Sequence, residues 1–308
     1  MGIFNNLFDI DSRDSYAVTG LNKELNSLYI YNYFIKNKKN NLVITNSLYE
    51  ANDVYNRLLN YTNKVLFFPM DDFITSEVTD ISPEFVIDRL TTLNKLLGSG
   101  KYIVVTNLMG ILRYLPNTKL YKNKIIDINK DMDIDRDDFI NKLFDLGYEK
   151  KPVVSRTGEM AIRGYVIDIF PIEFDNPIRI EFWGDTIDSI KYFDLEDQIS
   201  NTSVDSVKIY PYTEFLIDGK IEDNIIRKQK YLLNYSDSVS GLWDYVSDSV
   251  IFYYDYNQII NSYSLLRDNI LEYDSELDDD IKTNYMWDIE DISNKHNIYI
   301  LDIDNLID

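Results

Sequence analysis

The spacing of apolar residues changes period twice along this chain, and those two changes limit the folds open to it. Residues 1–125 alternate between short apolar runs and helical spacing. The runs Leu42–Thr45, Val65–Phe68 and Tyr102–Thr106 are brief and rich in β-branched or aromatic residues. Runs of that kind suit strands of a parallel sheet covered on both faces. Between them, Leu48, Val54, Tyr55, Leu58 and Leu59 keep helical spacing, with Asn46 as a candidate N-cap. A second helix is marked by Ser82 as N-cap, Pro83 at the first helical position, Glu84 at the positive end and Gly98 as a stop. Its apolar residues are Phe85, Leu90, Leu93, Leu96 and Leu97.

Over residues 126–212 the pattern becomes alternating. An amphipathic stretch (Phe139, Leu143, Phe144, Leu146) ends in Gly147. Strands are then expected at Ala161–Phe170, Ile178–Trp183 and Ser189–Phe193, broken by Gly158, Pro171, Pro177 and Gly184. After Tyr212 the α/β pattern returns, with Val250–Tyr254 and Tyr299–Ile303 as buried strands. The expected fold class is therefore α/β. A parallel-sheet domain is built from both ends of the chain, 1–125 and 213–308, and a small antiparallel β-rich α+β domain is inserted over 126–212. With 308 residues, 45% of them hydrophobic, each part has enough material for a core.

Composition excludes several kinds of chemistry. There is no cysteine, so neither disulfides nor thiolate metal sites are available, and the single histidine, His296, cannot supply a His-based zinc site. No cofactor is expected. The first residues, MGIFNNLFDIDSRD, lack the basic and long apolar regions of a signal peptide, and no run of 18 apolar residues occurs. A cytoplasmic location and no membrane partner are expected. The net charge of −21 is uneven: residues 1–125 carry 14 Lys+Arg against 12 Asp+Glu, residues 126–212 carry 10 against 19, and residues 213–308 carry 7 against 21. Tight non-specific DNA binding needs a basic face, which this distribution does not offer.

The best candidate for a catalytic loop is Val18–Glu24, ahead of a helix. A working phosphate loop reads G-x-x-x-x-G-K-S/T, so that backbone N–H groups wrap the phosphates and the hydroxyl holds magnesium. Here Gly20 and Lys23 are present, but Asn22 replaces the second glycine and Glu24 replaces the hydroxyl residue. Asn22 hinders the tight wrap and Glu24 sets a carboxylate against the phosphates. The loop reads as a degenerate phosphate loop or simply a helix start with a surface lysine. Asp71-Asp72 follows Phe67-Phe68-Pro69 but has no competent loop to pair with. The acidic clusters Asp133–Asp138 and Asp278–Asp280 lack calcium-loop spacing and read as solvated loops. His296 reads as a surface or structural residue, and Phe252–Tyr256 as core strand.

Gly147–Phe193 looks more like a site. Within acidic surroundings, residues 142–163 hold Lys142, Lys150, Lys151, Arg156 and Arg163 against Asp145, Glu149 and Glu159. Arg179 and Trp183 lie four apart on one expected strand and share a face. Arginine beside an exposed aromatic is a common interface anchor. The alternative is that Trp183 is core and the arginines merely pair with Glu159 and Glu181.

The residues of this stretch carry a resemblance: Gly147-Tyr148, Gly158-Glu159, Arg163-Gly164, Asp168, Phe170-Pro171, Pro177, Arg179, Phe182-Trp183-Gly184-Asp185 and Ile187–Lys191. They resemble the second domain of transcription-repair coupling factors (Mfd) and, with differences, the excision-repair protein UvrB. Thr19-Gly20-Leu21, Leu42–Asn46, Phe68-Pro69, Ser76-Glu77, Ser82-Pro83-Glu84, Arg89, Val105-Thr106, Leu112-Arg113 and Leu115-Pro116 point to the coupling factor. UvrB would keep an intact phosphate loop. The resemblance covers residues 15–215. It implies that the inserted domain binds UvrA through Arg163, Arg179 and Trp183, where the family more often has Phe at the last position. It also implies that contacts with RNA polymerase and DNA, and the ATP-driven translocase, lie outside these residues, so that this fragment is not itself an enzyme. Two other readings stand beside the adaptor: a weak nucleotide hydrolase using Lys23, and a regulatory clamp that packs against C-terminal domains of its own longer chain.

Overall fold

The computed structural model describes residues 15–71, 82–219, 232–236, 238–276, 286–293 and 297–301. They part into two compact units, Met1–Leu115 with Lys228–Asp308, and Pro116–Arg227. Asp72, Ser76, Glu77, Asp278–Asp280, His296 and the last two residues of the expected strand Tyr299–Ile303 lie outside the described residues.

The chain opens with strand β1 (Ser15–Val18), helix α1 (Lys23–Asn37), β2 (Asn40–Thr45), α2 (Leu48–Leu59), β3 (Val65–Phe68), α3 (Pro83–Leu96) and β4 (Ile103–Asn107). Strands β2, β3 and β4 are buried along their whole length. That burial explains why they read as continuous apolar runs and not as alternating ones. Strand β2 begins earlier than its apolar run, at Asn40-Asn41. These amides are buried because they replace missing backbone partners. Asn40 Oδ1 accepts from the Tyr102 N–H at 2.8 Å, Asn40 Nδ2 donates to the Ser247 carbonyl at 2.7 Å, and Asn41 Nδ2 donates to the Ile30 carbonyl at 3.1 Å.

Helix α2 is capped by Ser47, not by Asn46: the Ser47 hydroxyl accepts from Glu50 N–H at 3.3 Å. Glu50 reaches back to the Asn46 N–H at 3.1 Å, so a serine–glutamate pair closes the helix start. In α3, Ser82 does hold the cap position with Pro83 next, but its side chain makes no capping bond. Arg89 of α3 is buried and donates to the Pro69 carbonyl at 3.0 Å, while Thr92 donates to the Phe67 carbonyl at 2.6 Å. These bonds satisfy carbonyls at the end of β3 that a parallel sheet edge would leave open.

After α4 (Leu108–Leu112) and β5 (Leu115–Pro116) the second unit begins, with α5 (Thr118–Lys124), β6 (Ile126–Asn129) and α6 (Arg136–Asp145). Asp135 caps α6, accepting from Asp138 N–H at 2.8 Å, and Asp137 and Asp138 occupy its first turn. Within the Asp133–Asp138 cluster the carboxylates are exposed: Asp135, Asp137 and Asp138 form the helix start, where they favour the positive end, and Asp133 lies in the loop before it. Then come β7 (Glu149–Lys150), β8 (Glu159–Arg163), β9 (Val166–Ile169), β10 (Ile178–Trp183), β11 (Thr186–Phe193), β12 (Ser200–Val204) and β13 (Ser206–Ile209). The expected single strand Ala161–Phe170 is a hairpin, β8 and β9, folded at Gly164, whose φ of 60° is in the left-handed region. The six strands β12-β11-β10-β9-β8-β7 form one sheet, antiparallel except for the short β7–β8 pair. β13 pairs with β6 separately.

One face of that sheet is apolar. Ile167, Ile169, Ile178, Ile180, Phe182 and Ile190 are buried, as are Phe139 and Leu143 of α6. The Phe139 and Phe182 rings lie 6.0 Å apart. The chain then returns to the first unit through α7 (Leu232–Tyr235), β14 (Val239–Ser240), α8 (Leu242–Tyr245), β15 (Ser249–Tyr254), α9 (Tyr256–Glu276), α10 (Ile289–Ser293) and β16 (Asn297–Leu301). The parallel sheet runs β1-β16-β15-β2-β4-β3. Two strands from late in the chain thus sit between β1 and β2, so the protein is a mixed α/β chain with one parallel and several antiparallel sheets. Phe252, Tyr253 and Tyr254 of β15 are core residues.

Candidate docking face

The second face of the antiparallel sheet is polar, and strand register decides which side chains meet on it. Opposite one another across the sheet lie Ala161, Asp168, Arg179 and Lys191. The next row is Arg163, Val166, Glu181 and Ser189. Trp183, opposite Thr186, closes the same face at the end of β10. β8 and β10 run in the same direction, and each ends in a two-residue turn whose first residue is a glycine. Gly164 follows Arg163 with φ 60°, and Gly184 follows Trp183 with φ 63°. A leading glycine at positive φ matches the twist of a tight hairpin. Arg163 and Trp183 therefore stand at one rim of the sheet, each the last residue before its turn. The turn after Trp183 is braced by residues 131–134: Ile134 N–H donates to the Asp185 carbonyl at 2.8 Å, and Thr186 Oγ1 donates to Asp133 at 2.5 Å.

Of the arginines in this stretch, Arg156 pairs with Glu159 as the alternative reading expects, but Arg163 and Arg179 pair with neither Glu159 nor Glu181. Arg156 takes Glu159 at 3.2 Å and Lys191 takes Glu181 at 2.7 Å. Arg163 and Arg179 converge on Asp168, whose side chain is only 1% exposed. Arg179 Nε and Nη2 fork onto its two oxygens at 2.7 and 3.0 Å. Arg179 Nη1 donates to the Gln198 carbonyl at 3.1 Å and to Ser200 Oγ at 3.3 Å, and the guanidinium lies 4.6 Å from the Phe193 ring centroid. Its side chain is 15% exposed. Arg163 gives Asp168 only Nη2 and stays 45% exposed.

The charges agree with this geometry. The hydrogen bond to Asp168 raises the pKa of Arg179 above its ordinary value. The hydrogen bonds from Lys191 and then Ser189 hold the Glu181 carboxyl below the usual glutamate range. Burial pushes Glu159 up, but hydrogen bonds from Ser155 and the Arg156 N–H outweigh it and leave it lowered.

Trp183 is 83% exposed, which rules out the reading that places it in the core. Tyr165, in the turn after Arg163, is 64% exposed and was not singled out by its sequence context. The available signal was the Gly-Tyr pair between two strands, which forces Tyr165 into a turn.

The loop before α1 differs. Four residues, 19–22, join β1 to α1. Asn22 is the N-cap and accepts from Leu25 N–H at 2.9 Å; Glu24 is ion-paired to Arg57 at 3.0 Å; Lys23 is exposed. Gly20 takes φ 78°. Counted back from Lys23, the first glycine of a phosphate loop would fall on Ala17, which is inside β1. Among the described residues, no group of three or more His, Asp or Glu side chains is placed to hold a metal ion.

Residues 126–215, which contain this polar face, match the family described as the UvrB interaction domain. The chain is 34% identical over 220 residues to a transcription-repair-coupling factor of Staphylococcus haemolyticus, covering 71% of this chain and 19% of that protein. This chain is a relative of the transcription-repair-coupling factors. The same-named protein of Staphylococcus epidermidis is 31% identical over 235 residues, covering 76% of this chain and 20% of the relative. That of Staphylococcus aureus strain USA300 is 31% identical over 229 residues, 74% and 20% of the two chains. The chain thus spans about a fifth of the length of the coupling factors it matches. No helix among the described residues is long and apolar enough to cross a membrane.

Proposed function

We propose that this chain is the UvrA-docking module of a coupling factor and that the rim of its antiparallel sheet is the docking surface. The observation that carries this reading is Trp183, a large apolar side chain left exposed at the same rim of the sheet as a half-exposed arginine, inside the stretch that matches the UvrB interaction domain. Tryptophan and arginine are enriched among the few residues that carry most of the energy of an interface. Arg163, Arg179 and Trp183 form the surface together, and domain 126–212 carries it. Through it the chain brings excision repair to RNA polymerase stalled on DNA, in the cytoplasm, while polymerase contact, DNA contact and ATP-driven translocation belong to parts of a coupling factor beyond these residues.

The loop before α1 supports a binding role without nucleotide hydrolysis. Gly20, Asn22, Lys23 and Glu24 form a degenerate phosphate loop: Asn22 Oδ1 takes one of the helix N–H groups that phosphates would use, and Glu24 adds negative charge beside them. The test is calorimetric titration of UvrA with the chain and with an Arg163→Ala/Trp183→Ala variant. Loss of at least about 2 kcal/mol in a folded variant is the expected result. Equal binding by both would move the docking surface elsewhere.

A further inference from the structure

Arg163 and Arg179 share one buried carboxylate, but the carboxylate does not treat them alike. Arg179 commits all three nitrogens: two to Asp168 and one to Gln198 and Ser200, with its plane over Phe193. Arg163 commits Nη2 alone, and among the described residues its Nε and Nη1 have no hydrogen-bond partner. Asp168 holds the two in register because it lies directly opposite Arg179 on β10 and opposite Ala161, two residues before Arg163, on β8.

We propose that Asp168 is a positioning residue for UvrA docking: it fixes Arg179 as an internal strut and holds Arg163 by one nitrogen so that its free edge meets a carboxylate on the partner. This rests on the docking reading above. Of the three surface residues, Arg163 and Trp183 keep unused capacity for UvrA, while the nitrogens of Arg179 are already bonded within the chain. The matching chemistry on UvrA is an acidic side chain next to an apolar depression that takes Trp183. A guanidinium pinned by one Nη2 hydrogen loses little rotamer freedom on binding, and its second Nη2 hydrogen together with a neighbouring Nε or Nη1 hydrogen can then meet a carboxylate with two parallel bonds. A lysine at the same place would carry the charge but neither bridge to Asp168 nor fork.

The decisive experiment measures UvrA binding rates for the unaltered chain and for Asp168→Asn, Arg163→Ala, Arg163→Lys and the Asp168→Asn/Arg163→Ala pair. Far-UV dichroism establishes that each is folded. Asp168→Asn is expected to weaken binding about tenfold on its own and to add less than twofold once Arg163 is alanine, because the carboxylate acts through that arginine. Arg163→Lys is expected to lose nearly as much as Arg163→Ala, through faster dissociation, with the association rate and its salt dependence unchanged, because the charge is kept. If Asp168→Asn does not fold, the lysine variant decides alone. Full affinity in Arg163→Lys, multiplicative losses in the double variant, or unaltered binding by folded Asp168→Asn would each overturn the positioning role while leaving the docking reading intact. Failure of the unaltered chain to bind UvrA would remove both.

Discussion

Two places in this molecule present a lysine or arginine where a family motif would put one, and they differ in what surrounds the cation. Before α1, the groups that would serve a ligand are engaged by the chain itself: Asn22 caps the helix and Glu24 pairs with Arg57. At the rim of the antiparallel sheet, the inner cation is fully engaged but the outer one is held by one nitrogen only, and Trp183 stands out of the surface. A buried network there holds an incomplete outer layer in place. The lesson is that a motif's residue types matter less than whether their hydrogen-bonding and apolar capacity is already used.

That contrast can be broken in several ways. The largest expected effect is Arg179→Ala, which leaves the buried Asp168 carboxylate with Arg163 alone; removing one partner of a buried ion pair costs about 3–5 kcal/mol, to be read from urea unfolding. Equal loss from Arg163→Ala would erase the distinction between strut and reader. Next is Trp183→Ala, expected to weaken UvrA binding by about 2 kcal/mol while changing unfolding by less than about 0.5 kcal/mol, since the side chain is exposed. Asn22→Ala should cost about 1 kcal/mol of stability through the lost cap. The paired change Asn22→Gly/Glu24→Ser should still show no ATP binding by calorimetry, because the short connection leaves Ala17 in β1; measurable ATP binding would show that two side chains alone had closed the loop.

The smallest effect is on pH dependence. Glu159 and Glu181 are held below the ordinary glutamate pKa, so the unfolded chain takes up their protons first. Their stabilisation is present above the ordinary value of about 4.3 and is lost as pH falls through their lower folded values. A melting temperature flat above pH 6 and falling below pH 4.5 is expected, with a shallower fall in Glu181→Gln.

Much of this was readable from residue order. Five of the six strands of the parallel sheet follow from short apolar runs, β1 being the one that no such run marked, and the helix at Pro83 follows from its start signals. Asn40 and Asn41 were not readable as strand, since only the folded chain shows which open backbone groups their amides complete. The rim was half readable. Two-residue spacing puts Arg179 and Trp183 on one face but cannot say whether that face is inward. Asp168 lay hidden inside Val166–Ile169, a run that reads as core, and its meeting with Arg163 and Arg179 depends on the register of three strands, which no local pattern encodes.

The strand order of the parallel sheet also sets a sequence of events during synthesis. Of its six strands, β1 pairs only with β16, and β15 pairs with β2 on one side and β16 on the other. A ribosome has therefore released all of Pro116–Arg227 before the centre of that sheet exists. That second unit is continuous in the chain and its strands are joined mostly by neighbours, which favours early closure. It takes shape while β1 still waits for its partner, so the proposed docking surface is finished before the parallel-sheet domain.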